Sequence, residues 1–443
     1  MLCRLFSLVA AGFLYFVTAA SPTEQDVAPV TNFNVLTINV AGLPESYDPC
    51  GAPDEDKEMN TMYIGKILSH YYYGIVNVQE DVSHHTTLYE YNEHPYRTVN
   101  TGDIQDSSGL NTLSNFPFIG SSSTTWAYCS DKPKHDFDCN SNKGFTFMRV
   151  RMEKGVYIDM INLHTDAGTG VHDQSARRLN IDQVTEFIQT HSIGNAVIVF
   201  GNTNSLYTRS RDNIRILTAQ SGLKDAWVQA IGGTIPTPGD VKTYHREVVD
   251  KVFYRGSAVI NLNSTGFFYD TSRFLSPEGS GLTNHDPVRV EFEYSLTDGL
   301  RQSDLFGESY GHWFNDLPSL PPAPKLASIT LRGANRLDGL TFNLLTLRKG
   351  FRHGGKGGKA YSITLAPTEY IVSVKLCWGN KNVPTTRIFF AKVTTSNGQI
   401  VQAGKETEDC DTALTPNGYD VVGGYGQQGK EIDQLGFIYA RRQ

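Results

Sequence analysis

Short runs of alternating apolar and polar residues dominate the first two thirds of the chain. Phe33–Val40, Gly74–Glu80, Val156–Leu163, Val248–Tyr254 and Pro287–Tyr294 all read as strands. In the last, Val288, Val290 and Phe292 alternate with Arg289, Glu291 and Glu293. Val197-Ile198-Val199-Phe200 is continuously apolar, as a strand buried on both faces would be, and Gly201 breaks it. Between these runs the period changes. Ile64, Ile67, Leu68 and Tyr71 recur at helical spacing and predict a helix over Lys57–Tyr72. Val184, Phe187, Ile188 and His191 predict another that begins near Asp173, and a third is expected over Arg211–Ser221 with Gly222 as its stop. Strands alternating with helices indicate an α/β layer architecture. From about Ser295 the helical period disappears. Leu326–Leu331, Leu340–Leu345, Tyr370–Cys377, Arg387–Thr394 and Leu435–Tyr439 read as strands, and Asn397-Gly398 as a hairpin turn. This second half is all-β.

Polar residues gather where the strands of the first half end. Asn39, Glu80, His164, Asn202, Asn204 and Asp250 lie in or just beyond a predicted strand, and Asn284 and His285 come just before one. Such positions hand side chains from a rigid scaffold to a loop, which suits a polar site. A lone strand-end carboxylate is usually solvated, and a lone histidine is usually structural. The order of the whole set is the informative feature.

That order resembles the endonuclease/exonuclease/phosphatase superfamily, which includes pancreatic-type deoxyribonucleases and neutral sphingomyelinases. The matching text is INVAGLP around Asn39, NVQE ending at Glu80, INLHTDAG around His164, FGNTN at Asn202 and Asn204, VDKVFYR around Asp250 and TNHDPV around His285. The resemblance implies a four-layer α/β sandwich of two mixed sheets flanked by helices, and Mg²⁺-assisted hydrolysis of a phosphate ester. Glu80 is then the metal ligand of choice, because hard Mg²⁺ prefers carboxylate oxygens, with Asn39 supporting that shell. By the same resemblance His164 and His285 contact phosphate and move protons, Asn204 orients phosphate, and Asp250 adds a carboxylate. Two positions depart from the family pattern: Asn202 replaces a water-activating acid, and Asn284 replaces the carboxylate expected to hold His285. An amide has negligible basicity, and general-base assistance is worth about 10²–10⁴-fold in rate. Asp166 and Asp286 are the nearby acids available to compensate, and Arg209, Arg211 and Arg215 read as a solvated helix face.

The second half resembles the jacalin-related lectins, through FGESYGHWFND, ITLRGANRLDGLTF, HGGKGG followed by EYIVSV, and GGYGQQGKEIDQLGF. This implies a β-prism whose terminal loop, Gly429-Lys430-Glu431-Ile432-Asp433, binds sugar hydroxyls, with Asp433 as acceptor. Gly354-Gly355-Lys356-Gly357-Gly358 lacks the flanks of a phosphate loop and reads as a lectin turn.

Residues 1–20 read as a secretory signal, with Arg4, an apolar run and Thr18-Ala19-Ala20. No later run is long and apolar enough for a membrane helix, so a secreted, extracellular protein is expected. In an oxidising compartment Cys129 with Cys139, and Cys377 with Cys410, are natural pairs, leaving Cys50 over. The formal charge of −7 argues against a general attraction for nucleic acid. The expected organisation is a signal at 1–20, an α/β domain at 30–295, a linker at 296–303 and a lectin domain at 304–443. The expected function is carbohydrate binding by a secreted protein whose phosphodiesterase-like domain hydrolyses weakly or not at all. The alternative is an active Mg²⁺-dependent phosphodiesterase, acting on DNA or sphingolipid and targeted to glycan-bearing surfaces. The sugar and the oligomeric state are left open by the sequence.

Overall fold

A computed structural model describes residues 30–45, 53–99, 107–130, 142–239, 246–379 and 386–443. The expected signal at 1–20, Cys50 and Cys139 lie outside these residues. The first half builds two six-stranded sheets. In spatial order the first contains β11 (Ile260–Tyr269), β12 (Val288–Leu296), β1 (Thr31–Asn39), β2 (Ile75–Gln79), β4 (Asn111–Ser114) and β3 (Tyr96–Arg97). The second contains β5 (Phe118–Thr125), β6 (Gly144–Glu153), β7 (Val156–His164), β8 (Ala196–Asn202), β10 (Asp250–Arg255) and β9 (Lys224–Asp225). Alternation explains the layering. Val35, Ile75, Val290 and Phe292 point from one sheet towards Ile158, Met160, Ile198, Phe200 and Val252 of the other.

The opposite faces are covered by helices. Leu36, Ile38, Val76 and Val78 pack with Ile64 and Leu68 of α1 (Asp54–His70) and with Leu88 of α2 (His85–Glu90). Leu163, Val197, Val199 and Phe253 pack with Ile181, Val184 and Ile188 of α3 (Val171–His191) and with Leu217 of α4 (Arg215–Ser221). The short α5 (Ala226–Ala230) completes that layer. This is the four-layer sandwich expected. The third helix starts at Arg215 rather than Arg211, because Arg211 has a left-handed φ of 74° and Asp212 is engaged in a turn that accepts from Leu206 N at 2.9 Å. It ends as predicted at Gly222, whose φ of 65° suits a residue without a Cβ.

The sheets are also joined by buried amides. Thr37 Oγ1 donates to Gln79 Oε1 (3.2 Å), and Gln79 Nε2 donates to Asn162 Oδ1 (2.8 Å). Asn162 Nδ2 donates to the carbonyls of Val78 and Asn111, and Asn77 Nδ2 to that of Phe200. All four side chains are essentially inaccessible to solvent.

The second half forms three sheets around one core. One has β13 (Leu300–Gln302), β25 (Ile432–Arg441), β24 (Tyr419–Gln428) and β15 (His312–Asn315), with β14 (Phe306–Gly307) pairing β25. The next is β18 (Phe351–Gly354), β17 (Leu337–Leu344), β16 (Leu326–Gly333) and β19 (Lys359–Thr364). The third is β22 (Ile400–Gly404), β21 (Arg387–Thr395), β20 (Ile371–Gly379) and β23 (Asp409–Leu414). Phe342, Leu376, Val393 and Phe437 are among the buried residues these sheets share. The expected Cys377–Cys410 disulfide links β20 to β23, with an S–S distance of 2.07 Å. Cys129 is disulfide-bonded.

The segment expected as a linker, 296–303, is not free chain. Leu296 ends β12, and β13 pairs with β25, so residues 297–299 alone separate the last strand of the sandwich from the first strand of the prism. A clamp then fixes the junction. Asp304 accepts both Nε and Nη2 of Arg151 at 2.9 Å, the amide of Gly155 at 2.9 Å and the hydroxyl of Tyr157 at 3.1 Å. Nearby, Trp313 Nε1 donates to the Ile193 carbonyl (3.1 Å), and the Arg149 guanidinium lies 3.5 Å from the centre of the Trp313 ring.

Burial pushes the Asp304 carboxyl up, but the hydrogen bonds from Arg151 and Gly155 outweigh burial and hold its pKa below the usual carboxylate range. A group depressed in this way stabilises the fold above its unfolded pKa, and that contribution is lost as pH falls through the lower folded value. Asp304→Asn is expected to cost roughly 1–2 kcal/mol at neutral pH, a modest figure because the Arg151 side chain is about a third exposed. Thermal melts from pH 7 to pH 3 should show the gap between wild type and variant closing on the acid side.

Candidate functional site

The strand ends identified from the sequence meet at one edge of the sandwich. Asn39 closes β1 with no exposed surface, and its Oδ1 accepts the Ala41 amide at 2.9 Å. Glu80 follows β2 with a φ of 57°, a conformation uncommon for a non-glycine residue, which turns its side chain out of the strand. His164 ends β7 and is 2% exposed, and its Nε2 lies 3.8 Å from Glu80 Oε1. β7 and β8 are parallel and in register at His164 and Asn202, and the antiparallel pairing of β8 with β10 sets Asn202 directly opposite Asp250. Asn202 Oδ1 accepts the Asn204 amide (2.9 Å), and Asn204 Nδ2 donates to the Thr165 carbonyl (3.0 Å), which stitches the two strand ends together. His285 enters from the loop before β12. Thr283 holds that loop over β1, donating its hydroxyl to the Asn39 carbonyl (2.6 Å) and accepting the His285 amide (3.2 Å).

The two histidines differ electrostatically. Burial, reinforced by Lys143 and His285, holds the His164 pKa well below that of free imidazole, so it is neutral at pH 7. Burial alone would lower His285 too. Its Nδ1 lies 2.9 Å from Asp250 Oδ2, and this hydrogen bond and charge, with Glu80 and Asp286 behind them, raise its pKa above the usual value.

Glu80, His164, Asn202, Asn204, Asp250 and His285 are thus brought together, with Asn39 beneath them. Asn284 is not. Its side chain is exposed and makes no hydrogen bond among the described residues, so the role expected of it as the holder of His285 belongs to Asp250. The pairing depends on β10 crossing beside β8, a long-range contact that the local sequence does not display. The acids considered as substitutes are committed elsewhere. Asp286 pairs with Arg246 and accepts the Thr271 hydroxyl at 2.7 Å, and Asp166 accepts the Ser130 amide at 2.8 Å. Of the three arginines expected as a solvated helix face, Arg211 is exposed but lies before the helix, and the other two are engaged. Arg209 pairs with Asp212 and donates to the Asn204 carbonyl, and Arg215 donates to the Tyr207 and Pro236 carbonyls. Lys143 was missed. It sits beside His164 at the start of β6, a strand whose alternation Phe145, Phe147, Arg149 was the available signal.

In the second half, β24 and β25 form a hairpin whose connection, Gly429–Glu431, opens the expected sugar loop Gly429–Asp433, the last two residues of which belong to β25. Gly429 N donates to the Glu431 carbonyl at 3.0 Å, and Lys430 is exposed. Glu431 pairs with Arg336 and with Arg387 Nε, and Arg387 Nη1 lies 3.0 Å from Asp433 Oδ1. Asp433 is only 2% exposed. Burial chiefly, with Glu431 adding and Arg387 opposing, pushes its pKa up to about 6. A Cβ at Gly311, whose φ is 84°, would come within 2.7 Å of Asp433 Oδ2, so a glycine there leaves the carboxylate room. His353 of the HGGKGG run is a strut rather than a ligand. Its Nε2 lies 2.9 Å from Asp316, and its ring stacks on Phe314.

Comparison with known proteins agrees with both geometries. The family model described as endonuclease/exonuclease/phosphatase family 2 matches residues 24–229, and that of the jacalin-like lectin domain matches residues 303–438. The chain joins an endonuclease/exonuclease/phosphatase domain to a jacalin-like lectin domain. Proteins named sphingomyelinase from Mycobacterium tuberculosis and Mycobacterium bovis are 33% identical over 273 residues, covering 59% of this chain and 53% of theirs. The chain therefore spans about half the length of the curated relatives it matches. Among solved structures, sphingomyelinase C of Streptomyces griseocarneus is 16% identical, with a TM-score of 0.42, and covers 59% of this chain and 99% of its own. A mannose-binding jacalin-related lectin from Ananas comosus is 23% identical, with a TM-score of 0.29, and covers 32% of this chain and 98% of its own.

Within the endonuclease/exonuclease/phosphatase domain the donor set can be tested against a hard divalent cation. Glu80 offers a partly exposed carboxylate of the kind Mg²⁺ favours, whereas the Oδ1 of Asn39 is occupied by the Ala41 amide and its unpartnered Nδ2 could only donate to a metal-bound water, not ligate the ion. No cluster of three or more His, Cys, Asp or Glu ligands occurs among the described residues. The set fits a largely hydrated ion anchored by one carboxylate. A cavity of about 570 Å³ lies between the open edges of the sheets, lined by Arg97, Ser107, Asn111, Ser122, Asn142 and Thr146 among others. None of Glu80, His164, Asn202, Asn204, Asp250 and His285 lines it.

Removing the charge of Asp250 should release His285. In Asp250→Asn the His285 pKa, followed by NMR titration of its ring protons, is expected to fall by about one unit or more. Asn284→Ala should leave it unchanged.

Proposed function

We propose that this protein binds carbohydrate through its lectin domain and carries a phosphodiesterase-type site that is one charge short. The observation that carries the reading is the pairing of His285 with Asp250 at the same strand ends as Glu80 and His164, opposite an amide at Asn202. His285, with its raised pKa, is suited to give a proton to a leaving oxygen, and neutral His164 to share a hydrogen bond with phosphate. Asn204 would orient the ester. A divalent cation bound at Glu80 would supply charge neutralisation at the phosphate oxygens. What is absent is a basic group at position 202 to take the proton of the attacking water. Hydrolysis is therefore weak or lost, and the lectin domain supplies the principal activity.

A second reading is favoured by the same dyad. Only one of the two expected losses affects the site, because Asp250 rather than Asn284 holds His285. An active phosphodiesterase delivered to glycan-bearing surfaces then stays in contention. The 33% identity to proteins named sphingomyelinase makes sphingomyelin the first substrate to try, with duplex DNA beside it. We also propose that the protein is secreted, on the strength of residues 1–20.

Turnover of sphingomyelin and of duplex DNA in Mg²⁺ discriminates between the readings. Asn202→Asp is expected to raise turnover by about 10²-fold or more, and Glu80→Ala to abolish the gain. Asn284→Asp should change it little. Robust wild-type turnover that Asn202→Asp fails to improve would establish the second reading.

Glycan binding is tested separately. Asp433→Ala should erase the glycan-array signal with the melt unchanged. Wild-type retention on the glycan identified should weaken as pH falls below about 6, because protonation removes the acceptor charge.

A further inference from the structure

We propose that Asn263 is the attachment site of an N-linked glycan, carried on the outer face of the strand that ends the first sheet. The inference rests on the proposal that the protein is secreted, and it concerns a surface outside the strand-end site.

The chain contains a single Asn-x-Ser/Thr sequence, Asn263-Ser264-Thr265, and its middle residue is not proline. Its presentation on β11 is what carries the assignment. In a strand, residues two apart share a face. Asn263 and Thr265 are both exposed, and neither side chain makes a hydrogen bond among the described residues. Ser264 turns the other way. Its hydroxyl donates to Gln229 Oε1 at 3.0 Å and lies 3.1 Å from the Tyr254 hydroxyl. The amide to be modified and the hydroxyl that the sequence rule requires therefore stand side by side in solvent, while the residue between them anchors the strand. The pairing adds to this. β11 ends its sheet, and β12 is its one ladder partner among the described strands. The register shifts inside the motif: Ser264 pairs with Phe292 and Gly266 with Glu291, so Thr265 is the extra residue of a β-bulge. A bulge leaves that residue out of the ladder and bends the strand. An open sheet edge invites pairing with another chain, and a bulky hydrated glycan covers it.

The surroundings suit a sugar. A cavity of about 460 Å³ opens at Asn263 and is lined also by Lys224, Ser257, Asn261 and Ser295, whose polar side chains offer hydrogen-bond partners to the hydroxyls of the first residue of a glycan. The attachment leaves the strand-end site clear. Tyr269 pairs with Val288, just after the loop that carries His285, and Asn263 lies six residues back along the strand, roughly 20 Å away. The modification is a group transfer from an oligosaccharide held on a lipid diphosphate. Asn263 Nδ2 attacks the anomeric carbon, the bond from that carbon to the diphosphate oxygen breaks, a carbon–nitrogen bond forms, the amide gives up one proton, and the lipid diphosphate leaves.

The test expresses the full chain, residues 1–20 included, in a eukaryotic secretory host. Protein recovered from the medium is weighed by mass spectrometry before and after peptide-N-glycosidase treatment in heavy-oxygen water. Wild type is expected to carry one N-linked glycan, whose release leaves a heavy-oxygen aspartate at position 263. Asn263→Gln and Thr265→Ala should each be secreted without the glycan, and Thr265→Ser should keep it. The label is mapped on wild type and so does not depend on the folding of a variant. Secreted wild type with an unmodified Asn263, or an N-linked glycan that persists in Asn263→Gln, overturns the proposal and leaves the secretion reading standing. Retention of wild type inside the cell removes the secretion reading, and this inference with it.

Discussion

The amide ladder between the two sheets is the constraint from which the rest of the α/β sandwich follows. An unsatisfied buried amide costs about 1–3 kcal/mol, so Gln79, Asn162 and Asn77 tolerate only the sheet offset at which each meets its partner. Apolar side chains would allow the sheets to slide by a fraction of a residue, and these do not. The ladder ends where the site begins, because Gln79 is followed by Glu80, and Asn162 lies two residues before His164. Thr283 extends the same logic to the last histidine by bonding to the carbonyl of Asn39. Residues from distant parts of the chain thereby acquire fixed separations without a bound ligand.

Within that frame the amide at 202 has a further physical meaning. It faces Asp250 across adjacent strands. A carboxylate there would set two acids side by side at low exposure, and one of them would hold its proton to a higher pH. The same carboxylate that activates water would compete with the Asp250–His285 pair for charge. The amide removes this conflict and keeps the acceptor for the Asn204 backbone, so the loop geometry survives a change that removes basicity.

Much of this was legible in the sequence, and the failures have identifiable causes. Strands with one or two buried faces were readable from alternation, as with Phe33–Val40 and Val197–Phe200. Strands that form exposed edges were not. Phe118–Thr125 runs out into serine and threonine from Ser121 onward, and Lys359–Thr364 is exposed along most of its length, so neither carries a sustained hydrophobic period. The strand-end residues of the site were recoverable because order along the chain survives without coordinates. Their partnerships were not. Asn284 precedes His285 and was the natural candidate to hold it, but pairing of β8 with β10 delivers Asp250 from 35 residues away. Lys143 escaped for a similar reason, since nothing near it in sequence predicts that Trp126 will bind it to His164.

The junction at Asp304 changes what a lectin domain can contribute. On a long flexible tether, a binding module raises the effective concentration of everything within reach and is indifferent to orientation. Here residues 297–299 leave almost no reach, and Asp304, Trp313 and Asn315 grip the sandwich directly. Whatever the lectin domain holds is therefore fixed in height and angle relative to the sandwich. If the sandwich acts on phosphodiesters as proposed, selectivity becomes partly a matter of surveying: among chemically identical esters on a surface, those at the right distance from the right glycan would be in range, and their neighbours would not.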